Sequence, residues 1–144
     1  MSLDPLVWLR AVLRGSTTEP AARTQAIGQL IEMVGDRVYR RLPAGYDHAH
    51  PVIRIMVTAQ SSPRLTHGGP GMLRTVTLQL DTWSRLYSVA TRITGLLEQI
   101  LHGYTGTHGS SKVTLCQVGP TRDLPYDNQV EAHHRVTEVE ITSQ

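Results

Sequence analysis

The sequence has one cysteine, one lysine and no apolar run long enough to cross a membrane. Each shortage excludes something. A lone Cys116 can form neither an intrachain disulfide nor a multi-cysteine zinc cage. The best apolar stretch, Val52 to Val57, is broken by Arg54 and falls far short of the ~18 residues a spanning helix needs. Asp4 sits near the amino terminus, with no basic segment ahead of an apolar one, so the start does not read as a secretory signal. A soluble protein of the cytoplasm is expected. With lysine nearly absent, arginine supplies the positive charge, and 14 basic against 12 acidic residues leave a net charge of +2. The sequence pI of about 9.0 overstates this surplus. Few groups titrate between His and Tyr, so the charge curve is flat there. The arginines are scattered, with no run beyond Arg40-Arg41. Nonspecific binding to nucleic acid needs a concentrated basic stripe, which is missing.

What is present suits one folded domain. The 144 residues are 40% hydrophobic and 18% charged, enough apolar content for a core. Asp4 caps and Pro5 opens a first helix bearing Leu6, Leu9, Val12 and Leu13, ended by Gly15. Pro20 opens a second, with Ala26, Ile27, Leu30, Ile31 and Val34 at helical spacing, ended by Gly35. Val38 and Tyr39 form a short strand before a turn-rich stretch, Leu42 to Pro51. Val52 to Ala59 and Arg74 to Thr82 read as strands; in the latter Val76, Leu78 and Leu80 alternate with Thr77, Gln79 and Asp81. Leu86, Val89, Ala90, Ile93, Leu97, Ile100 and Leu101 predict a third helix, with Ser84 as cap and Gly103 as terminator. Lys112 to Val118 and Ala132 to Thr142 complete the strands. Val136 falls on the opposite parity from Val139 and Ile141, which predicts a bulge or a change of face nearby. Three segments read as open loops: Gln60 to Met72, Tyr104 to Ser111 and Gly119 to Gln129. The layout is α+β. Two to three helices, the first two over about residues 3–34, pack a largely antiparallel or mixed sheet of four to five strands within about residues 36–142.

The catalytic motifs are fragments. His67-Gly68-Gly69 is like an esterase oxyanion loop, but no G-x-S-x-G supplies a nucleophile, so a small hydrolase is the weakest of the readings. Gly103, Gly106 and Gly109 are three apart without the strand and helix of a phosphate-binding loop. His48 with His50, and His133-His134, place imidazoles together, yet no carboxylate or thiol stands at a ligand spacing. Cys116 lies among Val113, Leu115 and Val118 and reads as a small buried residue. Asp81 reads as a strand-edge residue and Asp123 as a loop residue. No catalytic residue, metal site or cofactor is expected.

One constellation carries a resemblance. Val34-Gly35-Asp36-Arg37-Val38-Tyr39 is followed by a turn, by Pro51-Val52-Ile53, and by a strand ending Leu78-Gln79-Leu80-Asp81-Thr82-Trp83. An aliphatic helix and two strands come after. In this order the chain, from about Leu3 to Ile141, resembles the tail-terminator, or tail-completion, proteins of long-tailed phages, prophages and gene transfer agents. Gly35 and Asp36 also have a local explanation, as helix stop and turn residue. Arg37 has none, and an ion pair between subunits is expected of it. The resemblance implies a non-enzymatic virion protein, assembled in the host cytoplasm, that forms a ring of six on the head-proximal end of the tail tube. Its partners would be further copies of itself, the major tail tube protein and a head-completion or stopper protein. Genome DNA would pass through the lumen without specific binding, and no membrane is involved. A tube of identical rings has no intrinsic stop, so a terminator must fit the tube on one face only. Six weak contacts made together would be tight. Arg37, Arg64, His67, His108, Arg122 and Asp123, mostly on the three loops, are the candidate contact residues. The alternative is another connector ring, a stopper or adaptor.

Overall fold

A computed structural model describes residues 4–14, 21–60, 64–65, 72–108 and 111–144. The first helix, α1 (Pro5–Arg14), begins where Asp4 predicts it: Asp4 Oδ1 accepts hydrogen bonds from the amides of Leu6 (3.0 Å) and Val7 (3.2 Å). Gly15 and Pro20 lie outside the described residues. The second helix, α2 (Ala21–Val34), stops at Gly35, whose φ of 60° is the left-handed conformation a helix terminator adopts. Replacing Gly35 with Ala is expected to cost about 1–2 kcal/mol, because a Cβ is strained at that φ. The added atom itself meets only Arg37 Nη1 at 3.6 Å, an ordinary contact. Urea unfolding should therefore show a lower midpoint with an unchanged slope.

Among the described residues seven strands follow, more than the four to five expected: β1 (Val38–Tyr39), β2 (Val52–Gln60), β3 (Arg64–Leu65), β4 (Met72–Ser84), β5 (Gly106–His108), β6 (Ser111–Asp127) and β7 (Ala132–Ser143). They form one mixed sheet in the order β1-β2-β4-β7-β6-β5, with β3 paired to the start of β4. Among the described residues only the β1–β2 pair is parallel. Helix α3 (Tyr87–Leu101) connects β4 to β5. Its N-cap is Leu86, with no side-chain cap bond. Ser84 instead ends β4 and accepts the Leu86 amide through Oγ at 3.2 Å. Gly103, at φ 77°, terminates the helix as expected.

The open loops are shorter than the sequence suggests. Gly119 to Gln129 was expected to be a loop, but most of it is strand: β6 runs on to Asp127, with register shifts between Val118 and Thr121 and between Leu124 and Asp127. Gly119, Pro120 and Pro125 look like loop residues. Because β5 pairs only with Ser111 to Val113, no described strand pairs with the outer side of β6 beyond them, and the N–H that proline lacks need not be a ladder donor there. Within Tyr104 to Ser111, Gly106–His108 pairs with β6. Of Gln60 to Met72, residues 60, 64–65 and 72 are strand and the rest falls outside the described residues.

All three helices cover one face of the sheet. The main core joins Trp8, Leu9 and Val12 of α1, Leu30 and Val34 of α2 and Ile93, Leu97 and Ile100 of α3 to Ile53, Leu78, Leu80, Val113, Cys116, Val139 and Ile141 of the sheet. The other face is not open at its β1 end. Val52, Trp83 and Ala132 are buried there beneath Tyr39, Leu42, Tyr46 and Val130. The segment 40–51 lies over them as a strap. It is fastened by Arg37 Nε to the Pro51 carbonyl (2.9 Å) and Arg85 Nη2 to the Asp47 carbonyl (3.2 Å), and closed on itself by the Tyr46 hydroxyl to the His50 carbonyl (2.8 Å). This second layer explains Val136. Its parity is that of the strapped face, where it is buried without any bulge in β7, whose pairing with β4 is unbroken from His133 to Ser143. The nearby register shift belongs to β6.

Candidate functional site

Two clusters of polar and aromatic side chains stand out, one under the strap and one at the start of α3. The first is built on Asp81. The sequence places it at a strand edge, yet β4 is interior to the sheet and the Asp81 side chain is 0% exposed. Register puts Arg54 of β2 directly across on one side and Val136 on the other, with His134 next along β7 on the same face. His134 Nε2 lies 2.8 Å from Asp81 Oδ1, and Arg54 gives Nε (3.2 Å) and Nη2 (3.0 Å) to Oδ2. Gln79 Nε2 reaches both oxygens, at 3.1 and 3.2 Å. Burial alone would raise the Asp81 pKa, but the hydrogen bonds from His134, Arg54 and Gln79 outweigh it and hold the carboxyl below its ordinary value. Trp83 seals the cluster. His134 stacks on it at 4.2 Å, the Arg54 guanidinium lies 5.0 Å from its ring centre, and the buried His48 meets it edge-on at 6.0 Å.

A hydrogen-bonded Asp–His pair invites comparison with a catalytic dyad. The geometry argues for a holding role. Both carboxylate oxygens are saturated by donors, and the imidazole is pinned flat against an indole. Cys116 is on the helix-covered face, and burial pushes its thiol up to about 12, so no nucleophile of that kind faces the pair. Among the described residues, no group of three or more His, Cys, Asp or Glu is placed to hold a metal ion.

The second cluster gathers around Asp123. The sequence reads it as a loop residue, but it lies in β6 opposite Arg135 of β7. The Tyr87 hydroxyl donates to its Oδ2 at 2.9 Å and Arg135 Nε to its Oδ1 at 2.7 Å, which together lower its pKa. Arg135 also gives Nη1 to Thr94 Oγ1 of α3 (2.7 Å) and lies under the Tyr87 ring. His133 sits between Tyr87 (5.4 Å) and Tyr126 (4.9 Å). The result is a braced corner where α3 meets the end of the β6–β7 hairpin, with Leu86, Tyr87 and Tyr126 exposed on it.

The other contact candidates are dispersed. Arg37 is half-buried and spends its donors inside the chain, on the carbonyls of Pro51 and of Met33 (Nη2, 2.7 Å), tying the end of α2 to the start of β2. Arg122 is exposed on β6 beside Asp123. Arg64 pairs with Leu73 and His108 with Ser111 through their backbones; His67 lies outside the described residues. Arg54 and the tyrosine corner were not singled out from sequence, and Trp83 only as the end of a strand motif. One signal was available: Arg54 and Asp81 are opposite charges, each set inside an apolar strand, and such residues on neighbouring strands are natural partners.

No family model matches the chain, and no curated protein does. Among solved structures, a chain from the virion of a native gene transfer agent particle is similar along almost its whole length. The match covers 94% of this chain and 93% of that one, with a TM-score of 0.55 and 11% sequence identity. At that identity the likeness is one of fold.

Proposed function

We propose that the chain is a virion structural protein, a tail terminator that forms a ring on the head-proximal end of a tail tube. The ring would stop tube growth and present its other face to the head. The observation that carries this reading is the whole-length likeness of fold to a chain in a gene transfer agent virion. The order Gly35 to Tyr39, Pro51, then Asp81 to Trp83 supports the same class from sequence. The saturated Asp81 cluster and the inert Cys116 fit a protein that acts by shape. Among the described residues no helix is long and apolar enough to cross a membrane. Six copies, contact with the tube protein and a stopper protein, and passage of DNA through the lumen belong to this proposal. Asp123, at the braced corner, and Arg122, paired with Val136 on the other face of β6, remain its candidate contacts.

Removing the gene from the particle that encodes it tests the reading. Overlong or headless tails are the expected outcome; normal tails joined to heads contradict it. The alternative connector ring, a stopper or adaptor, makes a different prediction: in tail-less mutants it would stay on DNA-filled heads.

A further inference from the structure

A ring made of one kind of subunit needs two unlike surfaces on each copy that fit one another. The described residues carry such a couple. The first surface is the corner where α3 begins. Leu86 is 62% exposed there, beside exposed Tyr87 and Tyr126. The Tyr87 hydroxyl is fixed on Asp123, and His133 is wedged between the two tyrosine rings, so this knob is braced in the free chain. A braced aromatic surface loses little side-chain freedom on docking. The adjoining β6–β7 hairpin end carries Asp127 and Glu131.

The second surface is a mainly apolar groove of about 290 Å³ between α1 and the end of α2, formed by Leu13, Ile31 and Val38, with Arg10, Arg14 and Asp36 at its sides. Ile31 is 41% exposed. The volume sits at the bottom of the ~300–1,000 Å³ range of small-molecule pockets, which favours inserted side chains over a ligand. Its two arginines outnumber its one carboxylate, opposite in sign to the hairpin end. The groove adjoins β1, at one edge of the sheet, whereas the knob stands on β6 and β7 beyond β2 and β4. Two separate surfaces of a subunit that fit one another propagate head to tail.

We infer that copies join with the Leu86–Tyr126 knob of one seated in the α1–α2 groove of the next, Asp127 and Glu131 facing Arg10 and Arg14. This rests on the ring reading above and adds which surfaces meet.

The test uses the full chain with Tyr126 replaced by the photo-crosslinker p-benzoylphenylalanine. Irradiation should yield covalent dimers whose second site maps within residues 7–14 or 31–38. Ile31→Asp, or Arg14→Glu if the first variant folds poorly, should lower the yield about tenfold, the loss typical of one central contact residue. Dimers linked through other residues overturn this contact and leave self-assembly standing. No dimer up to about 1 mM, where even a −4 kcal/mol contact is half-populated, overturns the contact and free self-assembly together.

Discussion

Replacing Asp81 with Ala is expected to lower the unfolding free energy by about 3 kcal/mol, the low end of the ~3–5 kcal/mol seen when one partner of a buried ion pair is removed. The low end applies because the partners are not sealed in. Arg54 keeps a third of its side chain exposed and His134 some 15%, so both can recover part of their hydration once the carboxylate is gone. For a chain of this size that loss corresponds to a fall of about 6–12 °C in melting temperature. The pH dependence gives an independent check. The carboxyl is held below its ordinary value in the folded state, so its contribution is fully present above the unfolded carboxyl pKa of about 3.9. It is lost as the pH falls through the lower, folded value. The wild-type chain should therefore lose stability on acidification through this window, and Asp81→Asn should lose less across the same interval. A parallel decline in both would assign the acid sensitivity to other groups. Urea titrations from about pH 2 to about pH 7 make the comparison.

Trp8→Ala is the other large effect, at about 3–5 kcal/mol. Trp8 is 1% exposed and meets Tyr104 edge-on at 6.0 Å, so it fastens α1 to the core beside the end of α3. Its removal leaves a cavity that a short helix held by few other elements can close only by moving. Trp8→Phe separates volume from polarity. The indole nitrogen is buried and finds no hydrogen-bond partner among the described residues. Phenylalanine keeps much of the apolar volume and discards that N–H, so its cost should be about 1 kcal/mol. Equal costs for the two variants would mean that the indole makes a polar contact of its own.

The main core was legible because it is periodic. Ala90 to Leu101 repeats at 3.6 and Leu78 to Leu80 at 2, and both patterns put the buried side chains where the structure has them, whereas Leu86, at the same helical spacing, precedes α3 and is 62% exposed. The strapped face was not legible. Alternation along β4 marks Gln79 and Asp81 as the polar side of a half-exposed strand, which is correct unless something covers that side. Trp83 is covered by Leu42, Tyr46 and His48 of the stretch read only as turns, with Tyr39 and Val130, and Asp81 is enclosed by Arg54, Gln79 and His134 from neighbouring strand positions. The tyrosine corner was hidden for a related reason: Tyr87 and Asp123 are 36 residues apart, and Asp123 and Arg135 are paired by a hairpin whose outer strand carries two prolines. Local rules assign such a stretch to a loop, although a strand with no described neighbour on its outer side there accepts it. Ile31 shows the converse error: it has helical spacing, yet it faces the α1–α2 groove half-exposed. Asp4, Gly35 and Gly103 were read correctly as helix boundaries, because caps act through neighbouring backbone alone.

Whether the protein is part of a finished particle, and where in it, bears most directly on the proposed role. Purified particles carrying a small epitope tag on the exposed carboxy-terminal Gln144 can be labelled with gold and imaged. Label gathered at the joint between tail and head is the expected result. Label spread along the tube, or a chain missing from the particles altogether, would contradict it.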